Sequence, residues 1–127
     1  MPKQLILIAV IILLLCLGAS GQKASTGHGI TKGEAIEMVM RLPEVKESVA
    51  YVRKHSKDKR LLFAMIYGEP SKEQPYWWVV VGEDNGMSFV THFGFFVYVK
   101  TGKIMYFDTL EGKSISLQAW RKSLQMK

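Results

Sequence analysis

Between residues 61 and 108 the chain consists of short apolar runs cut by turn residues, a pattern that calls for an antiparallel sheet. Residues 61–67 form a continuous apolar run, closed by Gly68, Glu69 and Pro70. Residues 76–82 make a second strand. Its side chains alternate, with Tyr76, Trp78 and Val80 on one face and Trp77, Val79 and Val81 on the other. Asn85 and Gly86 then supply a strong hairpin signal. Residues 88–99 read as a long third strand in which Phe89, Phe93, Phe95, Val97 and Val99 share one face and Val90, His92, Phe96 and Tyr98 the other. Gly94 in its middle predicts a bulge or bend there. A tight turn over residues 100–103 leads to a fourth strand at residues 104–108, so the expected sheet is a four-stranded antiparallel meander.

Helices flank this block. Thr31 followed three residues later by Glu34 forms a capping box, and Ala35, Ile36, Val39, Met40 and Leu42 recur at helical spacing on one face. Pro43 ends or kinks that helix. Residues 44–55 fit either a helix, with Val45, Val49 and Val52 in register and Pro43 at its first position, or a strand; helix is favoured. Residues 116–120 predict a short C-terminal helix with Leu117 and Trp120 against the sheet. A sheet this aromatic cannot leave both faces wet, so the first helix must cover one of them. The expected class is α+β: an N-terminal helix packed on a four-stranded meander, with a second helix and a short C-terminal one.

The 127 residues are 48% hydrophobic, but part of that content sits in an uninterrupted apolar run over residues 5–17, preceded by Lys3 and followed by Gly18, Ala19, Ser20 and Gly21. This reads as a signal peptide over residues 1–21. At ~1.5 Å per residue, such a run spans roughly 20 Å, short of the ~30 Å hydrocarbon core. Residues 22–29 read as a flexible lead-in, leaving residues 30–127 as a single α+β domain. The one cysteine, Cys16, lies inside the leader, so a cleaved chain would hold no disulfide. An exported, cysteine-free domain of this size fits a bacterial envelope, periplasmic or secreted. Lipidation at Cys16 is the less favoured alternative, because Leu13, Leu14 and Leu15 precede it where a small residue is usual.

The formal charge of +6 is unevenly spread. Arg53, Lys54, Lys57, Lys59 and Arg60, opposed only by Asp58, give the segment 53–60 a charge of +4. Such a patch could dock an anionic surface; its ordinary reading is a solvated connector between two elements. Nucleic acid is a poor partner, since export removes it and no aromatic residue interrupts the basic run.

No catalytic constellation is legible. His28, His55 and His92 show no metal-ligand spacing, and neither a metal nor a cofactor is expected. Glu83 with Asp84 and Asp108 with Glu111 read as solvated turn carboxylates. The aromatic set says more. Tyr76, Trp77 and Trp78 are consecutive, so the two tryptophans must face opposite ways; an exposed one beside Phe96 and Tyr98 would make a platform for a peptide or a sugar ring, whereas the ordinary reading buries Trp77 under Trp120 and the second helix.

A helix opening with Ile30, Thr31, Lys32, Gly33, Glu34 and Ala35, then a meander with the hairpin Val97, Tyr98, Val99, Lys100, Thr101, Gly102, Lys103 and Ile104, resembles the PepSY-type domains of exported bacterial proteins. Those are similar in outline to the cystatin-like helix wrapped by a curved sheet. The resemblance covers residues 30–108. The segment 45–60 is longer than a minimal unit of that kind, and residues 116–121 are an addition. The resemblance implies a module that binds or inhibits peptidases without chemistry of its own. The Gln-x-Val-x-Gly hairpin of cystatins is not carried over, because Val79, Val80, Val81 and Gly82 lack the Gln. The expected function is therefore an exported, non-enzymatic binding module with a protein or peptide partner in the envelope, inhibitor-like or immunity-type. Two alternatives stand beside it. One is a small enzyme of the same superfold with His92 as base and Asp108 as orienter; the other is a surface-attachment protein using residues 53–60.

Overall fold

A computed structural model describes residues 29–126; the expected signal peptide and all of the lead-in except Gly29 lie outside the described residues. Its arrangement is α+β, with three helices and five strands among those residues. The elements run α1 (Lys32–Met40), α2 (Pro43–His55), β1 (Phe63–Gly68), β2 (Tyr76–Asp84), β3 (Phe89–Tyr98), β4 (Ile104–Asp108), β5 (Lys113–Ser116) and α3 (Leu117–Gln125).

Local chemistry places the helices. The Thr31 hydroxyl accepts the Glu34 amide at 3.2 Å while the Glu34 carboxylate accepts the Thr31 amide at 3.3 Å, so the capping box starts α1 as the spacing predicts. Leu42 is extended at ψ 134°, which ends the first helix and lets Pro43 open α2 at a position where no amide donor is needed. Residues 44–55 are thus helical, and the strand alternative falls. Val45 and Val52 of that helix join Ala35, Val39 and Leu42 in the core.

The sheet is a meander of order β1-β2-β3-β4-β5, antiparallel throughout, with one strand more than expected. β5 was hidden because residues 113–116 have a single apolar side chain, Ile115, and Ser116 doubles as the N-cap of α3, accepting the Ala119 amide at 3.0 Å. Trp120 locks that helix onto the sheet, its ring stacked on Tyr106 at 4.6 Å and edge-on to Phe95 at 5.6 Å.

The bulge is not at Gly94. That residue pairs regularly with Val80, and a Cβ on it would sit 3.2 Å from the Phe107 carbonyl oxygen, so a close approach of β4 explains the glycine. The register shifts instead between Val81 and Gly82: Val81 faces Phe93 and Gly82 faces Thr91, which leaves His92 as the extra residue. Gly82 is required at this kink, since a Cβ there would lie 2.1 Å from the Val90 carbonyl oxygen. The shift reverses side-chain direction before residue 92, so Phe89 does not share a face with Phe93 and Phe95; its ring meets Phe63 at 5.3 Å on the opposite side.

All three helices contribute to one core, on the face carrying Val79, Val81, Phe95 and Val97, each with no solvent exposure. On the other face of the sheet no helix lies among the described residues. Among the described residues no helix is long and apolar enough to cross a membrane.

Candidate functional site

The uncovered face is the side of β2 that carries Tyr76, Trp78 and Val80. Strand alternation adds Phe96 and Tyr98 from β3 and Phe107 from β4, while Tyr67 closes the row from β1. An open sheet face is ordinarily polar, and here it is aromatic.

The rings pack on one another. Trp78 is the hub, edge-on to Tyr67 at 5.2 Å, to Phe96 at 5.9 Å and to Phe107 at 5.2 Å. Phe96 stacks on Phe107 at 4.8 Å and on Tyr76 at 4.1 Å, and Tyr76 leans on Tyr98 at 5.3 Å. Stacked and T-shaped pairs of this kind bury each other's edges without a covering layer. Phe96 is consequently buried, whereas Tyr67 at the edge of the row is 58% exposed. Burial among the rings raises the Tyr76 phenol above its ordinary value, with the neighbouring Tyr98 adding to the shift. Trp78 Nε1 is buried and has no hydrogen-bond partner among the described residues.

Four of the five aromatic residues singled out in the sequence, Tyr76, Trp78, Phe96 and Tyr98, therefore meet on the open face. Trp77 does not. It faces the helices, and its indole Nε1 donates to the Ile30 carbonyl at 2.8 Å, which, with the Ile30 amide donating to the Val99 carbonyl at 2.8 Å, fastens the chain's entry to the sheet. Trp77 is thus a structural anchor for residue 30, and Trp120 is occupied with Phe93, Phe95 and Tyr106. Tyr67 and Phe107 were missed as members of the row. Strand parity alone would have found them, since Phe107 is out of phase with Tyr106 and Tyr67 ends the apolar run beside the turn.

The basic segment is two structures. Arg53 and Lys54 belong to the last turn of α2, and residues 56–60 are the connector, in which Lys57 and Asp58 adopt left-handed backbone at φ 54° and 62°. Arg53 pairs with Asp58 at 3.3 Å, and the Arg60 Nε donates to the Glu83 carboxylate at 3.0 Å. Among the described residues Lys54, Lys57 and Lys59 make no ion pair and are exposed.

Glu83 corrects the expectation of a solvated turn carboxylate. It is only 8% exposed, and Arg60 holds its carboxyl below the ordinary carboxylate range by hydrogen bonding, against the opposing effect of desolvation. His92 Nε2 lies 3.8 Å from the same carboxylate. Arg60 and His92 also line a cleft of about 360 Å³ against α2, together with Tyr51, Val52 and His55 among others. Asp108 is elsewhere, beside Trp120, and its Oδ1 accepts the Leu110 and Glu111 amides at 2.9 and 3.2 Å. His92 thus meets Glu83, while Asp108 caps a turn. Among the described residues no group of three His, Cys, Asp or Glu side chains is placed to hold a metal ion.

No protein family, curated protein or solved structure matches the chain.

Proposed function

We propose that the chain is an exported, non-enzymatic binding module of the bacterial cell envelope, PepSY-like in outline, which holds a protein or peptide partner on its open aromatic face. One observation carries this reading: a sheet face on which no helix lies among the described residues bears a continuous row from Tyr67 through Trp78, Phe96 and Phe107 to Tyr76 and Tyr98. Apolar surface of this kind on a soluble face is a recognised mark of an interaction site. Aromatic side chains suit it, because each offers large contact area with few torsions to freeze and, in tyrosine, a polar tip for a peptide carbonyl. The leader-like run over residues 5–17 supports the compartment. An inhibitor-like or immunity-type role fits a module that offers a surface and no reacting groups. The reading of His92 and Asp108 as base and orienter finds no support, since the two side chains serve different clefts.

The test is a pull-down from the envelope fraction with wild type and with Tyr67→Asp, partners being identified by mass spectrometry. Tyr67 is exposed, so the substitution leaves the fold within about 1 kcal/mol of wild type. A partner held by wild type is expected to be lost from the variant, weakened more than tenfold. Equal recovery on both would remove the aromatic face as the site.

A further inference from the structure

The two edges of the sheet are treated very differently. β5 is four residues long, opens with Lys113 paired to Glu111 at 3.0 Å and runs directly into α3. Short length, charge and an adjoining helix are the usual means of protecting an edge. β1 has almost none of them. Its six residues, Phe63, Ala64, Met65, Ile66, Tyr67 and Gly68, contain no charge and no proline, and no backbone hydrogen bond reaches them from any described element other than β2. Phe63, Met65 and Tyr67 are 42%, 36% and 58% exposed along it. A single irregularity between Ile66 and Gly68 is its one departure from a flat template.

We propose that the occupant of this edge is a second copy of the same chain, paired antiparallel through β1 so that two five-stranded sheets become one of ten strands. An antiparallel strand pairs with itself about a two-fold axis, which is the self-complementary, closed arrangement that homodimers favour. Directly opposed residues share a face, so a register that sets Met65 opposite Met65, at the middle of the strand, keeps both aromatic faces on one side. Phe63 then stands opposite Tyr67 twice, and Ala64 stands opposite Ile66 on the helix side. Aromatic cross-strand pairs are among the more favourable ones. The pairing joins the two aromatic rows, because Phe63 already touches Phe89 and Tyr67 already touches Trp78 within each copy.

Charge selects the same arrangement. The segment 53–60 before β1 carries +4, and the segment 69–75 after it, with Glu69, Lys72 and Glu73, carries −1. Antiparallel pairing brings the basic flank of each copy beside the acidic flank of the other; parallel pairing would set basic against basic. Glu69 and Glu73 of each copy thereby lie on the side of the connector of the other, where Lys57 and Lys59 make no ion pair among the described residues. A peptide from another protein would meet the same free edge, but nothing in the chain specifies its sequence, whereas the flanks specify this one.

The experiment is sedimentation of the chain expressed with its own N-terminal segment, for wild type, Met65→Lys and Met65→Glu, and for an equimolar mixture of the two variants. Wild type is expected to sediment at twice the monomer mass at tens of micromolar. Each variant places two like charges on the two-fold axis and is expected to be a monomer with an unchanged circular dichroism spectrum, a charged residue on a free edge being well tolerated. The mixture is expected to recover the dimer, because only a register in which residue 65 faces itself sets Lys against Glu. A monomeric wild type would overturn the proposal, as would association that survives Met65→Lys, which would mean that another surface holds the copies. A mixture that stays monomeric would overturn the register. Failure here leaves the partner-binding role of the aromatic face intact, since that is read by recovery of a partner on Tyr67→Asp.

Discussion

The two faces of one sheet are built from different materials. On the covered face, Val79, Val81 and Val97 are small, branched and wholly buried, and Phe95 and Trp120 fill the space beneath the helices. On the open face the residues at alternate positions are nearly all rings, and they bury one another: Val80, with 1% exposure, and Phe96 are hidden with no helix above them among the described residues. Alternation of two apolar sets along β2 therefore does not imply two covered faces. A layer of interlocking rings supports itself and still leaves its outermost members free to meet a partner.

The comparison breaks first at its two tryptophan hubs. Trp120 is 4% exposed and contacts Phe93, Phe95 and Tyr106, so Trp120→Ala is expected to cost about 3–5 kcal/mol, as large core truncations do. Trp78 has as many aromatic neighbours but is only partly buried, and Trp78→Ala is expected to cost about 1–2 kcal/mol, the ordinary range of partly exposed substitutions. Urea unfolding of both variants measures the difference. Equal losses would mean that the open face is as much a core as the covered one.

The consecutive pair Trp77 and Trp78 sharpens the same contrast by about 1 kcal/mol. Trp77 donates to the Ile30 carbonyl, so Trp77→Phe removes a hydrogen bond and leaves an acceptor half-buried, a loss of about 1 kcal/mol. The Trp78 Nε1 is buried without a partner, so Trp78→Phe removes a polar group that is already uncompensated and is expected to be neutral or slightly stabilising. The two midpoints should move in opposite directions, or one should move and the other stay. If Trp78→Phe destabilises as much as Trp77→Phe, the indole nitrogen of Trp78 has a partner in solution.

What could be read from the sequence follows from how local each signal is. The capping box of Thr31 and Glu34, the proline start of α2 and the serine cap of α3 are set within four residues, and all three helices begin where those signals stand. β4 matches its expected bounds for the same reason. The extra residue at His92 is not local: it depends on Gly82, ten positions away, whose missing Cβ lets the Val90 carbonyl close in. Glycine at 94 was the more visible candidate, and its true cause, the approach of Phe107, lies on another strand. The buried carboxylate was equally illegible, because Glu83 resembles a turn residue until Arg60 is brought to it across 23 positions. Of the candidate site, Tyr76, Trp78, Phe96 and Tyr98 were recognised and the split of Trp77 from Trp78 was foreseeable from strand alternation; which tryptophan faced the helices was decided by tertiary packing.

The smallest expected effect lies at the rim, where the covered face ends in charge instead of a helix. Arg60 donates to Glu83 there and holds its carboxyl below the ordinary value of 4.5, and the partner group is likewise favoured in its charged form. Because the folded-state value is the lower one, the contact contributes fully above the ordinary carboxylate range and fades as pH falls through the folded value. Glu83→Gln removes that dependence. The difference in urea midpoint between wild type and Glu83→Gln should therefore be constant from neutral pH down to about 5 and then shrink on further acidification. Glu44, held down in the same way by its hydrogen bond from Arg121, is present in both proteins and cancels from that difference. A gap that stays constant down to the pH at which both proteins unfold would mean that Arg60 does not hold the Glu83 carboxyl down.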